Sequence, residues 1–286
     1  MYVIAGVTGN TGKVVAETLL AKGEKVRVIV RDAAKGAAFA ARGAEVAVAE
    51  LNDVNALTAA LQGAKGAYLL VPPNTNTPDF RAYQATMGRA IRDAVKAAGV
   101  PHVVFLSSIG ADKDSKTGPI VGLHGVEKEL ASISGTKTQF LRAAYFMENI
   151  GGSLGALGQG VLPSFFPKDF AFPMVATKDI GTTAAELLLA GADKTEVVNL
   201  GSSPISMSDV AQSLSALTGK QITVAEAPVT AMATTLMGYG VPREAAEFYQ
   251  EMTESILSGH IVWEQGHKQI ISSNKVADVL KGLLPS

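Results

Sequence analysis

The first twenty residues constrain the fold more than any other part of the chain. Tyr2-Val3-Ile4-Ala5 is short, apolar and partly β-branched, and it runs directly into Gly6-Val7-Thr8-Gly9-Asn10-Thr11-Gly12. A helix-forming stretch, Lys13 to Leu20, follows without a break. Strand, glycine-rich turn and helix in this order make a phosphate cradle. Gly6 permits the tight turn, Gly9 lets the backbone approach a pyrophosphate, and Gly12 lets the helix pack close to the strand. Free N–H groups at the helix N-terminus, with the helix dipole behind them, then face the phosphates. Thr8, Asn10 and Thr11 fill the turn between the glycines and join the candidate dinucleotide site.

The next strand bears on which dinucleotide binds. Residues 25–30 read as a buried strand that ends in Arg31-Asp32. A carboxylate at this tip suits the ribose hydroxyls of NAD, and a guanidinium suits the 2′-phosphate of NADP. Arg31 holds the tip, which favours NADP(H), with Lys35 as a second cation nearby. The competing reading of Arg31 is a solvated charge paired with Asp32.

Strand-like and helix-like segments then alternate. Strands are expected at 44–49, 67–71, 102–107 and 138–141, with helices at 53–61, 78–98 and 125–134. Helices between successive strands impose parallel pairing and right-handed crossovers. The fold class is therefore α/β, a doubly wound parallel sheet of the Rossmann type with a smaller, mostly helical second lobe. Its ligand belongs at the carboxyl ends of the strands. Residues 1–150, with returning segments at about 175–200, are expected to form the dinucleotide domain, and 151–286 the substrate-binding lobe. In that second part helices are expected at 178–190, 208–217, 232–237 and 243–257, and strands at 196–200 and 221–225.

Composition narrows the function classes. A net charge of −1 gives no electrostatic footprint for nucleic acid. With no cysteine, disulfides, thiolate catalysis and cysteine-bound metals are excluded. No other spacing suggests a metal site. The chain opens on a strand rather than a signal peptide, and it has no apolar run able to span a membrane, so a cytoplasmic location is expected.

Together these segments resemble the NmrA-like branch of the short-chain dehydrogenase/reductases. The resemblance rests on Gly6 to Gly12, on Val28-Ile29-Val30-Arg31-Asp32, and on Glu50-Leu51-Asn52-Asp53. It rests further on Phe105-Leu106-Ser107-Ser108, on Leu141-Arg142 with Tyr145-Phe146-Met147-Glu148-Asn149, and on Lys178-Asp179-Ile180-Gly181. It spans about residues 2–225 and is closest in pattern to NADPH-dependent quinone oxidoreductases and triphenylmethane-dye reductases. It implies NADP(H), a small aromatic or quinone substrate and a possible homodimer. The family also contains cofactor-sensing regulators, so a non-catalytic sensor that binds a partner protein is the alternative. The resemblance gives Leu51 and Asn52 a place flanking the adenine.

Several further residues are candidates for chemistry. Many short-chain reductases use Tyr-x-x-x-Lys on one helix face, where the lysine grips the nicotinamide ribose and lowers the tyrosine pKa. Here Lys128 matches the lysine, and His124 stands where the tyrosine would be. A histidine can donate a proton near neutral pH, so His124 and Lys128 are the candidate catalytic pair. A quinone needs no acid from the protein, because solvent can protonate it. The site then supplies proximity, orientation and an apolar slot. Val71 and Pro72 end the fourth strand, and Ser107 ends the fifth beside the expected nicotinamide. Tyr145, Phe146 and Asn149 are candidate substrate contacts. The Phe- and Pro-rich run at 162–173 reads as a pocket wall taken as a group, and as core packing residue by residue.

Overall fold

The computed structural model describes every residue except Thr75, Pro78, Pro285 and Ser286. The chain opens with β1 (Tyr2–Ile4), α1 (Asn10–Ala21) and β2 (Val26–Val30). A short helix α2 (Ala37–Ala40) precedes β3 (Glu45–Val48), and α3 (Val54–Leu61) precedes β4 (Gly66–Leu69). The long α4 (Phe80–Ala98) leads to β5 (His102–Ser108), and α5 (Val121–Ala131) leads to β6 (Lys137–Ala143). Three short strands follow, β7 (Tyr145–Phe146), β8 (Val161–Ser164) and β9 (Met174–Val175), before α6 (Thr177–Ala190) and β10 (Glu196–Gly201). The chain ends in α7 (Met207–Thr218), β11 (Thr223–Glu226), α8 (Met232–Gly238), α9 (Arg243–Leu257), β12 (Lys268–Ile271) and α10 (Val276–Leu283).

Eight strands form one sheet in the order β12-β10-β6-β5-β4-β1-β2-β3. Every pairing in it is parallel. This is the doubly wound arrangement that alternating strands and helices dictate. Chain order reverses where β1 lies between β4 and β2, and a crevice opens there beyond the strand ends. Strands β1 and β4, and β5 over Val103–Leu106, are apolar because helices cover both faces of the sheet. On one face α1 and α6 bury Leu19, Ile180 and Leu188 against Ile4 and Val28. On the other, α3, α4 and α5 bury Leu57, Ile91, Val95 and Leu130 against Leu69 and Phe105. Full burial of such a side chain contributes about 1.5–3 kcal/mol.

Helix starts follow the expected cap chemistry. The Asp53 carboxylate accepts from the Ala56 N–H at 3.0 Å, and the Asp79 carboxylate from the Ala82 N–H at 2.8 Å. Pro78, where the sequence starts the fourth helix, lies outside the described residues. The fifth helix begins at Val121 rather than at 125. Gly122 and Gly125 obscure its first turn in the sequence, but Gly122 lies so close to Gln84 of α4 that packing imposes the helix there.

A third core joins Ile120 and Met147 to Leu162, Phe172, Val210 and Ile256 of the later part of the chain. The glycine-rich stretch after β7 winds as consecutive 3₁₀ turns over Met147–Gln159. The short strands β7, β8 and β9 were not expected, and neither were two elements near the end of the chain. Strand β12 adds to the sheet beside β10, and α10 packs against α7. Asp179 near the start of α6 fixes this last segment. Its carboxylate accepts from the Asn274 N–H at 3.0 Å, the Ser273 hydroxyl at 3.1 Å and the Ser272 hydroxyl.

Candidate functional site

Across the carboxyl ends of β1, β2, β4 and β5 runs a cavity of about 780 Å³. One end is the glycine turn, which enters α1 through Gly9. Gly6 has φ +68°, and a Cβ there would lie 2.7 Å from Leu70 Cδ2. At Gly12 an added Cβ would lie 2.4 Å from the Ala5 carbonyl oxygen and 2.6 Å from the Gly6 backbone. Gly12 therefore sets how closely α1 sits on β1 and does not line the cavity. At Gly9 the nearest atom to an added Cβ is the Gly6 carbonyl oxygen at 3.4 Å, so this position faces open space. A pyrophosphate fits that cradle. No side chain caps the first N–H groups of α1, and its first turn carries no acid, in contrast to the Asp-capped α3 and α4. Behind the turn the buried Tyr68 hydroxyl donates to Thr11 Oγ1 at 2.9 Å, and burial pushes this phenol up strongly.

The cavity wall includes Gly6, Thr8, Gly9, Asn10 and Thr11, and then Arg31, Leu51, Val71 and Pro72. Ser107 and Phe146 also line it. Arg31 makes no ion pair among the described residues, and Asp32 turns instead to accept from the Ala34 N–H at 2.9 Å. An exposed guanidinium at this strand tip suits a 2′-phosphate. Tyr83 of α4 feels both Arg31 and Glu50. Burial pushes its phenol up, and the Arg31 charge opposes that. Its hydroxyl donates to the Pro72 carbonyl at 3.0 Å and fixes the loop after β4.

Other expected residues are not brought to this wall. Lys128 is exposed on α5 and does not line the cavity. The helix turns Glu127 inward instead. His124 bonds through Nδ1 to the Ala111 carbonyl at 2.8 Å, and its buried Nε2 has no partner among the described residues. It does not line the cavity either. Asn52 is exposed beside Leu51 and is absent from the wall. Neighbouring strand residues face opposite ways, so Phe146 lines the cavity while Tyr145 lines a separate apolar hollow of about 350 Å³ with Phe170, Phe172 and Trp263. Burial pushes the Tyr145 phenol up to about 12, partly offset by its hydrogen bond with Asn149. The Phe-rich run is mainly lobe core, with the Phe166 and Phe172 rings 4.4 Å apart.

A buried charge network beneath Ser107 has no short-range signature in the sequence. Arg142 of β6 donates through Nη2 to Glu127 Oε2 at 2.6 Å and through Nε to Glu127 Oε1 at 3.0 Å. Its Nη1 donates to Glu264 at 2.6 Å, which also bonds His267 at 3.0 Å. Burial alone would lower the Arg142 pKa, but the two carboxylates outweigh it and keep the guanidinium charged. Ser107 donates to Glu127 Oε1 at 2.5 Å, so this network orients a cavity side chain. Gln84, Thr177 and Tyr249 also line the cavity from three further helices and were not among the expected residues.

Residues 2–268 match the NmrA-like family. Among characterised proteins, the chain is 29% identical over 263 residues to quinone oxidoreductase 2 of Escherichia coli (strain K12), covering 86% of this chain and 85% of that protein. It is 27% identical over 256 residues to an NAD(P)H azoreductase of Xenophilus azovorans, covering 88% and 86%. The solved structure of an NADPH-dependent quinone oxidoreductase from Escherichia coli, complexed with NADPH, matches with a TM-score of 0.83 at 27% identity over 99% of both chains.

Proposed function

The chain belongs to the NmrA-like family and is an NAD(P)H-dependent oxidoreductase, and from that premise we propose that it uses NADP(H) to reduce a quinone or a similar aromatic acceptor. The observation that carries this reading is one continuous cavity that joins the open glycine cradle and Arg31, which has no ion-pair partner among the described residues, to an apolar end at Leu106, Ile120 and Phe146. When bound, NADPH supplies a hydride. The chain's own residues hold and orient the reactants. Gly9 and the N–H groups of α1 take the pyrophosphate, and Arg31 takes the 2′-phosphate. Val71, Pro72 and Ser107 flank the path toward the nicotinamide, and Phe146 contributes a flat apolar wall for the acceptor.

In this reading residues 1–150, with the returning segments at about 175–200, carry the dinucleotide, while 151–286 contribute the substrate wall. No lysine or histidine lines the cavity among the described residues. That agrees with an acceptor whose reduced form takes its proton from solvent. Related proteins named for quinone and azo reduction support the same substrate class. The experiment is an NADPH-consumption screen across quinones, azo dyes and ketones, without added flavin. NADPH consumption with quinones is expected. NADPH binding with no consumption by any acceptor would refute the reading and favour a sensor.

A further inference from the structure

At the lobe end of the cavity one side-chain O–H has no acceptor among the described residues. Ser107 gives its proton to Glu127 at 2.5 Å, and Ser108 gives its proton to the Ile109 carbonyl at 3.0 Å. The Thr177 hydroxyl donates to Glu148 at 2.6 Å. Each hydroxyl has one proton, so toward a ligand these three present only lone pairs. They can accept from amide or hydroxyl protons but cannot donate to a carbonyl.

Tyr249 of α9 lines the same cavity. Its backbone carbonyl accepts from Thr253 Oγ1 at 2.9 Å, and its phenol has no partner among the described residues. The titratable side chains in the wall are Arg31, Glu50, Tyr83 and Tyr249. The first three cluster at the β2 end, where Tyr83 feels both charges and its proton is committed to Pro72. Tyr249 lies at the other end, where α9 packs so closely on Gly118 that a Cβ there would lie 2.0 Å from the Phe248 carbonyl oxygen, beside Pro119 and Ile120 of the same wall. Burial pushes the Tyr249 phenol up, so it stays a donor across the neutral range.

We propose that the Tyr249 phenol, supplied by the lobe rather than by α5, anchors the acceptor atom of the substrate and selects molecules with a carbonyl oxygen or azo nitrogen at the reducible group. The inference rests on the reductase reading above. The balance of the reaction is unchanged. A quinone gains one hydride from NADPH and one proton from solvent, and Tyr249 keeps its own proton. Its bond strengthens as negative charge develops on the acceptor atom, which is where a donor aids catalysis.

The test compares the wild type with Tyr249→Phe, which removes one oxygen and keeps the ring. Two acceptors are used: a quinone, and a cationic triarylmethane dye whose hydride-accepting carbon bears no acceptor atom. For the quinone, kcat/KM should fall about tenfold to a hundredfold, the range for losing a hydrogen bond to a charged group. The dye and the affinity for NADPH should change less than about twofold. Calorimetric affinity of the quinone for the NADP⁺-loaded protein, which cannot turn over, should fall in Tyr249→Phe. Unchanged quinone kcat/KM and affinity would overturn the proposal, as would equal loss for quinone and dye. A wild type that consumes no NADPH with any acceptor would instead sink the reductase reading, and the calorimetric comparison would still decide the role of the phenol.

Discussion

Removing Glu127 tests the buried network beneath the cavity. The Arg142 and Glu127 side chains are 6% and 9% exposed, and two donor nitrogens of one reach both oxygens of the other. Glu127→Ala leaves a buried guanidinium without its main partner. Breaking such a pair typically costs about 3–5 kcal/mol. Arg142 keeps Glu264 at 2.6 Å, whose side chain is 42% exposed and partly solvated. That residual partner places the expected loss near the lower limit, about 3 kcal/mol. The freed Ser107 hydroxyl adds about 1 kcal/mol. Glu127→Gln keeps the volume and an acceptor for Ser107, and should lose less than the alanine variant. The assay is the urea unfolding midpoint at constant slope, completed by a cycle of Glu127→Leu, Arg142→Met and the double variant Glu127→Leu/Arg142→Met. Removing both charges should cost less than the sum of the single removals, because no charge remains stranded. A Glu127→Ala loss below about 0.5 kcal/mol, or strictly additive singles, would refute the argument that the charges depend on one another.

Arg31→Ala should weaken NADPH about tenfold to a hundredfold while changing NADH little, since only NADPH carries the 2′-phosphate; equal loss for both, measured by calorimetry, would refute that role. Gly9→Val should leave a folded protein that binds neither dinucleotide, whereas Gly12→Ala should destabilise the fold by about 1–3 kcal/mol because its Cβ meets backbone. Circular dichroism and thermal melts separate the two outcomes, and a Gly12→Ala protein as stable as wild type would be the contrary result. Burial lowers the His102 pKa below its ordinary value, and the hydrogen bond to Gln139 opposes this only in part. The folded state therefore holds His102 neutral, and the unfolded chain takes up the proton first as pH falls below about 6.5. Stability should drop over that window, and His102→Gln should flatten the urea midpoint between about pH 7.5 and about pH 5.5.

Local physics made much of this molecule legible in its sequence. The cradle is read from three glycines because each meets a demand within a few residues: a positive φ at Gly6, open space at Gly9 and backbone contact at Gly12. The parallel sheet is read from alternating apolar runs and capped helices, since Asp53 and Asp79 cap within their own turns. What the sequence could not supply is which side of a helix meets the cavity. One residue of offset on α5 separates exposed Lys128 from buried Glu127, and Glu127 faces inward because Arg142, fifteen positions away, needs a partner there. The same limit applies to Tyr145 and Phe146, adjacent in sequence and divided by the strand pleat between two different cavities. Strand β12 returns to the sheet edge beside β10 and Tyr249 to the cavity wall, and no local pattern records where a returning segment will land. The sequence by itself determined the cofactor cradle and the order of strands and helices, because hydrogen bonding and steric demands there act over a few residues. Tertiary structure alone decided the far wall of the cavity, because its side chains come from elements more than a hundred residues apart and are brought together only by the packing of later segments on the sheet.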